Sequence, residues 1–335
     1  MMGFVRRTTR ITIGAALLAA TALTVGGCGG SGDAGPEIGH LALGAAYDVC
    51  VAGETAFVSD DEGIAILDIG DIAHPRRVGA IPERDGLGPI AGFHTSGDTL
   101  FTYGELFAIH DVSDPAAPRL LARYHGRYFI GAAATRDGHA YLGYLQGGLE
   151  VLDLRDAAGL RTVGFAQSPG RLSDVAVSGA YAYAAGDDAG LEIFDIADPA
   201  DPRRLGAVAG TDGARDISLA GRLLYLGCRS HGVRILDVSI PEHPVVTGVF
   251  DNGGVTCGVQ AVGDRLFTVD REQGIEVFDV EDAAHVHRLK GLEQYLPQDL
   301  FSDGNHVFLA DQGRDFVVLP MGAGEGAGVG DASPH

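Results

Sequence analysis

The chain is predicted to be all-β: a seven-bladed β-propeller of four-stranded blades repeating about every 42 residues, closed by an N-terminal strand. Three observations carry this expectation. Its 335 residues hold 51 glycines and no tryptophan, with 46% hydrophobic and 21% charged side chains. That composition buries a large core and favours many short strands with tight turns. The phrase GLEIFDIADPADPRRLGAV, residues 190–208, is echoed by AILDIGDIAHP, AIHDVSDPAAP, EVLDLRDAAGL, RILDVSIPEHP and EVFDVEDAAHV. Their shared acids, Asp68, Asp111, Asp153, Asp195, Asp237 and Asp279, are spaced 43 and then 42 residues apart. A second register of seven aromatics, Phe57, Phe101, Tyr141, Tyr183, Tyr225, Phe267 and Phe308, runs upstream at spacings of 40 to 44.

In chain order, the first element is residues 1–27, which place Arg6, Arg7 and Arg10 before an apolar run from Ile11 to Val25. A basic stretch, an apolar core and small residues form an export signal. As a helix of roughly 15 residues the run would reach only about 22 Å, short of a hydrocarbon core of about 30 Å. The ending Val25-Gly26-Gly27-Cys28 resembles the lipobox of bacterial lipoproteins, which implies cleavage before Cys28 and lipidation of its sulfur. The chain is therefore expected to be exported to the cell envelope and anchored in the outer membrane or at the cell surface. Residues 28–38 read as the lipidated cysteine and a flexible tether, 39–320 as the propeller, and 321–335 as a disordered Gly-rich tail.

Within one period, residues 174–179, 181–186, 191–196 and 203–208 are four short strands separated by Gly or Asp-Pro turns. A four-stranded sheet exposes two apolar faces, so copies must stack, and a ring leaves no face uncovered. The seventh copy lacks its outer strand, and GHLALG, residues 39–44, supplies the missing piece from the other end of the chain.

The run strand-Asp-x-x-Asp-Pro-x-x-Pro resembles the LVIVD repeat of bacterial and archaeal cell-surface proteins, over residues 45 to about 320. The likeness is specific in blades 2, 4 and 5 and weaker in blades 3 and 6, which lack the prolines; in blade 7, Pro320 replaces the acid. It implies a propeller and a surface location, and no biochemistry.

A residue written into every blade is explained by the blade. The six corner acids end the third strand, where a carboxylate accepts N–H groups of the next turn. Asp48, Asp174, Asp216 and Asp299 recur at the mouth of the innermost strand. They are expected to cap turns; the alternative is an acidic ring holding Ca²⁺, which prefers oxygen ligands. Gly92, Ala132 and Gly258 interrupt that ring, and no cofactor is expected otherwise.

Binding is expected where the repeat breaks. The residue before that acid varies, giving Tyr47, Ser173, Arg215 and Gln298, and the loop after the aromatic strand adds Tyr144, Arg229, His231, Arg271 and Arg314 on the same face. Arg215, Arg229, Arg271 and Arg314 make one basic sector where an anionic ligand or partner group would dock. Elsewhere the net charge of -21 repels phosphate backbones, so nucleic acid is not an expected partner. Cys228 and Cys257 fall on the same face, leaving a disulfide and two free thiols as alternatives, whereas Cys50 reads as a small core residue. No G-x-S-x-G, H-E-x-x-H or C-x-x-C is present. The expected function is a non-enzymatic binding or interaction scaffold on the envelope. The alternatives are a lactonase-like propeller hydrolase with a metal at the channel mouth, held by the four acids, and a structural subunit of a surface assembly.

Overall fold

The computed structural model describes residues 37–83, 88–156, 159–270, 273–295, 297–311, 313 and 315–321. Cys28, the export signal, most of the tether, all of the tail but Met321, Arg271 and Arg314 lie outside them.

The described strands form seven antiparallel four-stranded sheets. Blade 1 is β2 (Val49–Ala52), β3 (Thr55–Asp60), β4 (Gly63–Asp68) and β5 (Arg76–Pro82). Blade 2 is β6 (Ile90–Ser96), β7 (Thr99–Gly104), β8 (Phe107–Asp111) and β9 (Arg119–Tyr124). Blade 3 is β10 (Ile130–Arg136), β11 (His139–Tyr144), β12 (Leu149–Asp153) and β13 (Arg161–Ala166). Blade 4 is β14 (Asp174–Ser178), β15 (Tyr181–Ala185), β16 (Leu191–Asp195) and β17 (Arg203–Val208). Blade 5 is β18 (Asp216–Ala220), β19 (Leu223–Gly227), β20 (Val233–Asp237) and β21 (Val245–Phe250). Blade 6 is β22 (Thr256–Val262), β23 (Arg265–Asp270), β24 (Gly274–Asp279) and β25 (His287–Leu292).

Blade 7 takes β26 (Pro297–Ser302), β27 (His306–Asp311) and β28 (Asp315–Pro320) from the C-terminal end, and its outer strand is β1 (Gly39–Leu41). Gly39, His40 and Leu41 pair with Val318, Val317 and Phe316, and the Ile38 N–H extends the ladder to the Val318 carbonyl at 3.0 Å. The expected closure is thus formed. Each innermost strand packs against the next, ending with β26 on β2, so the ring has no free face.

Apolar side chains of neighbouring blades fill seven layers. The second strands are buried on both sides because every blade is sandwiched between two others: Phe57, Tyr183 and Phe267 are all buried. The outer strands face solvent and carry a bulge at one fixed place in blades 1 to 6, opposite residue pairs such as Ile66/Leu67 and Ile193/Phe194. The extra residues include Leu121, Leu205 and Leu289, which are exposed. A bulge disrupts the ladder, which keeps a bare edge from pairing with another chain.

Next to the bulge the outer strands of blades 1, 3, 4 and 5 carry a glycine, Gly79, Gly164, Gly206 and Gly248, and all but Gly206 lie close to the following blade. A Cβ on Gly79, Gly164 or Gly248 would stand 2.0, 2.3 or 2.1 Å from a carbonyl oxygen at the corner of the following blade, Pro115, Pro199 or Ala283. On Gly39, in the closing strand, it would meet the Ile72 oxygen at 1.9 Å. These glycines permit backbone contact between blades, and the closing strand repeats the pattern of a blade's own fourth strand.

Candidate functional site

The corner acids cap the turns that follow them. Asp68, Asp111, Asp153, Asp195, Asp237 and Asp279 each accept the N–H two residues on, at 2.8 to 3.1 Å. Arg76, Arg119, Arg161 and Arg222 add ion pairs to four of them. Backbone and arginine donors hold the Asp68 and Asp153 carboxyls below the usual range, and the Ser239 hydroxyl and N–H, with Arg222, do the same for Asp237; the Ser113 hydroxyl and N–H, with Arg119, push Asp111 down to about 2.

On the opposite face three of the four mouth acids join one blade to the next, and the fourth, Asp48, is buried. Asp174 Oδ2 accepts the Ile217 N–H at 2.8 Å, Asp216 Oδ2 the Val259 N–H at 2.7 Å, and Asp299 Oδ2 the Val49 N–H at 3.2 Å. Asp174 also caps its own strand through the Val175 N–H at 2.8 Å. Ser218 and Gln260 repeat the device deeper in, accepting the Ala261 and Ser302 N–H groups at 2.9 and 2.7 Å, and His94 meets Thr135 at 2.9 Å. A charge-assisted bond from a buried carboxylate is among the stronger ones, so these are latches between innermost strands. Of these, His94, Thr135, Asp174, Ser218 and Gln260 line a cavity of about 450 Å³ bounded by the innermost strands of blades 2 to 6. Among the described residues, no three His, Cys, Asp or Glu side chains are grouped to hold a metal ion.

Charge that does not repeat gathers between blades 4 and 5. Asp187 and Arg229 occupy the same place in successive blades, just beyond the second strand, and each bridges to the segment that enters the next blade, Asp187 to Ala214 and Arg229 to Thr256. Arg229 Nη2 lies 2.7 Å from Asp187 Oδ1, while Arg215 Nη1 and Arg171 Nε stand 3.9 Å from Oδ2. Three guanidinium groups therefore converge on one carboxylate. The Arg229 contact is not aligned as a hydrogen bond, and Arg215 Nη2, buried as well, has no hydrogen-bond partner. A buried donor left unmade costs about 1–3 kcal/mol, so the cluster carries unused bonding capacity. Burial also pushes the Arg215 guanidinium down to about 10, against the pull of Asp187.

Backbone bonds fix this arrangement. The Arg215 N–H donates to the Gly227 carbonyl at 2.8 Å, and its own carbonyl accepts Ser173 Oγ at 3.0 Å. Asp187 and Arg229 both have positive φ, 51° and 49°. Arg229 alone among the described non-glycine residues of that kind is a long side chain, in a conformation costing roughly 1–2 kcal/mol. Arg234 steadies the two loops around it, donating Nε to the Gly210 carbonyl at 3.2 Å and Nη1 to the His231 carbonyl. In blades 3, 4 and 6 the residue at its place is a buried glutamate, Glu150, Glu192 or Glu276, paired with an arginine.

The expected binding face is brought together only in part. Arg229 and His231 are exposed at the cluster, and Tyr47 and Gln298 are half-buried on other blades, Tyr47 donating its hydroxyl to Asp61 at 2.9 Å. Tyr144 is corrected to a core residue: it is fully buried, bonds Glu150 and accepts the Arg127 N–H at 3.1 Å. Burial and the Glu150 bond push its hydroxyl pKa up. Ser173 and Arg215 are also buried rather than displayed, because the incoming segments fold under the loops. The Cys228–Cys257 disulfide is not formed. Both are buried and not joined in a disulfide, and they belong to different layers, Cys228 between blades 4 and 5 and Cys257 between blades 6 and 7. Cys50 is the small core residue expected. Sequence reading passed over Arg171; its one signal is that no other blade carries an arginine three residues before the mouth acid.

The LVIVD repeat model matches residues 43–81, 169–209 and 212–252. These are blades 1, 4 and 5; blade 2, expected from its prolines, is not matched and blade 1 is. Blade 2 still builds the same corner, with the Ser113 N–H on Asp111 at 3.0 Å, so the difference is one of sequence and not of fold. No curated protein matches the chain. Among solved structures, a chain of the Mitotic Checkpoint Complex is 11% identical with a TM-score of 0.70, covering 92% of this chain and 99% of that one. The computationally designed Ika8 protein is 12% identical with a TM-score of 0.61, over 86% and 100% of the two chains. The RRP9 WD40 repeats are 14% identical with a TM-score of 0.67, over 82% and 94%. Such identities speak for the fold alone. The protein is a seven-bladed β-propeller that carries LVIVD repeats in three of its blades.

Proposed function

We propose that this protein is an exported lipoprotein, held to the membrane through Cys28, whose propeller is a non-enzymatic interaction scaffold for another envelope protein or an anionic ligand. An LVIVD-repeat propeller fits a binding or scaffold role. The observation that carries the reading is the division of charge: the acids that recur from blade to blade serve corners and latches, whereas the Arg171, Arg215 and Arg229 cluster belongs to one place only. Side chains that break a repeat on a loop face are the means by which a rigid ring acquires specificity.

The test is affinity capture from detergent-solubilised membranes, with the wild type and Arg229→Glu run side by side. A partner recovered in stoichiometric amount by the wild type and lost by the variant supports the reading. Turnover of lactone or ester substrates that needs a tightly bound metal, removed by chelator, overturns it in favour of a hydrolase. The anchor is tested by the mass of the exported chain, which should carry acyl groups that Cys28→Ser abolishes.

A further inference from the structure

We infer that Arg171, Arg215 and Arg229 form a carboxylate site, filled in the free protein by Asp187, and that adjacent carboxylates of an acidic segment in a partner protein take its place. The inference rests on the scaffold reading above and names the chemistry of the partner.

Several independent features converge on it. Arg215 is only 3% exposed, and its Nη2 lacks a hydrogen-bond partner beside the cluster. A guanidinium presents a planar fork suited to a carboxylate, and the group it faces at 3.9 Å is already one. The Arg215 backbone is clamped by Gly227 and Ser173, so the fork is preorganised. Asp187 is held by ion pairs at 2.7, 3.9 and 3.9 Å, and its Oδ1, next to Arg229, makes no aligned hydrogen bond. It is an imperfect ligand on a short left-handed loop. Two of the three arginines are accessible, with Arg171 48% and Arg229 45% exposed, so an incoming carboxylate meets these two before the buried Arg215. As Asp187 turns toward solvent, a second carboxylate reaches Arg215. Elsewhere the acidic surface repels such a segment, which confines it to this place.

The test is calorimetric titration of the purified full chain, at about 150 mM salt to screen surface charge, with an acetylated and amidated tetraglutamate peptide. The tetraglutamine peptide and inorganic phosphate are the comparison arms. Tetraglutamate is expected to bind and tetraglutamine not to. Arg229→Ala should weaken binding about tenfold, the loss of one charge-assisted bond, Arg171→Ala by less, and Asp187→Asn should tighten it. Arg229→Lys, which keeps the charge and loses the fork, should behave like the alanine variant and serves if that variant folds poorly. Absence of tetraglutamate binding, binding indifferent to both arginine substitutions, or phosphate binding as tight as the peptide's would each overturn the assignment. If membranes yield a partner that Arg229→Glu still captures, this inference fails while the scaffold reading stands. If peptide binding follows the arginines but no partner is captured, the scaffold reading fails alone.

Discussion

Asp299, in the last blade, accepts the backbone N–H of Val49, in the first, at 3.2 Å across 250 residues of sequence. It is the same contact that Asp174 makes to Ile217 and Asp216 to Val259, so the seam where the chain's ends meet is latched like the interfaces between consecutive blades. Asp299→Ala leaves a buried N–H without its acceptor and should destabilise by about 2 kcal/mol, within the range for bonds to charged groups. Asp299→Asn, which keeps an oxygen, should lose less. Thermal melts of the two variants against wild type give the comparison; equal and unchanged melting temperatures would remove the latch from the account.

The second seam contact is the strand pair. Deleting residues 38–45 removes β1 from its ladder with β28 and uncovers apolar side chains that Ile38, Leu41 and Leu43 pack against. A sharp fall in melting temperature is expected, with hydrogen exchange speeding first in β28. A melt like the wild type's would show that three sequential strands suffice for the last blade.

Gly248→Ala puts a Cβ 2.1 Å from the Ala283 carbonyl oxygen, where backbone and not a pliable side chain must give way. Overpacking of this kind costs typically 1–3 kcal/mol. Denaturant unfolding should show it as a lower midpoint with an unchanged slope.

Acid should unfold the protein in two windows. Burial pushes the His110 imidazole, in β8, down to about 4, so the unfolded chain binds its proton more readily. Stability from this group is complete above about 6.5 and falls as pH drops toward about 4, by up to roughly 3 kcal/mol. His110→Phe should flatten that window. Asp111 is held down at about 2, so its contribution is present above the ordinary carboxylate range and is lost only as pH falls through about 2. Asp111→Asn should alter the lower window alone. Melting temperature against pH from 7 to 2 resolves both.

Thiol labelling checks the cysteines. Cys50, Cys228 and Cys257 are buried, and burial pushes the Cys228 thiol up to about 12. None of the three should react in the folded protein and all three should on denaturation; rapid native labelling of Cys257 would contradict its place in the core.

Legibility differed between the blade and its rim. The four strands expected over residues 174–208 are observed as Asp174–Ser178, Tyr181–Ala185, Leu191–Asp195 and Arg203–Val208. Turn glycines and Asp-Pro corners act locally, so their effect can be read one blade at a time. Tyr144 could not be placed that way. It follows Tyr141 by three residues at the end of β11, and whether the last residue of a strand faces solvent depends on a neighbouring blade. The same is true of Arg215, which is exposed or buried according to how the Asp187 and Arg229 loops lie over it.

By itself, then, the order of residues determined the period, the number of blades, the corners capped by their own acids, and the completion of the last blade by residues 39–44. These depend on contacts within a hairpin or on a strand count, which a repeat displays directly. Only the tertiary structure decided that the mouth acids latch neighbouring blades, that Cys228 and Cys257 sit in separate layers, and that Arg171, Arg215 and Arg229 share one carboxylate. Those relations join residues on different strands, mostly of different blades, and their distances are set by how sheets stack around an axis, a quantity that no single stretch of sequence contains.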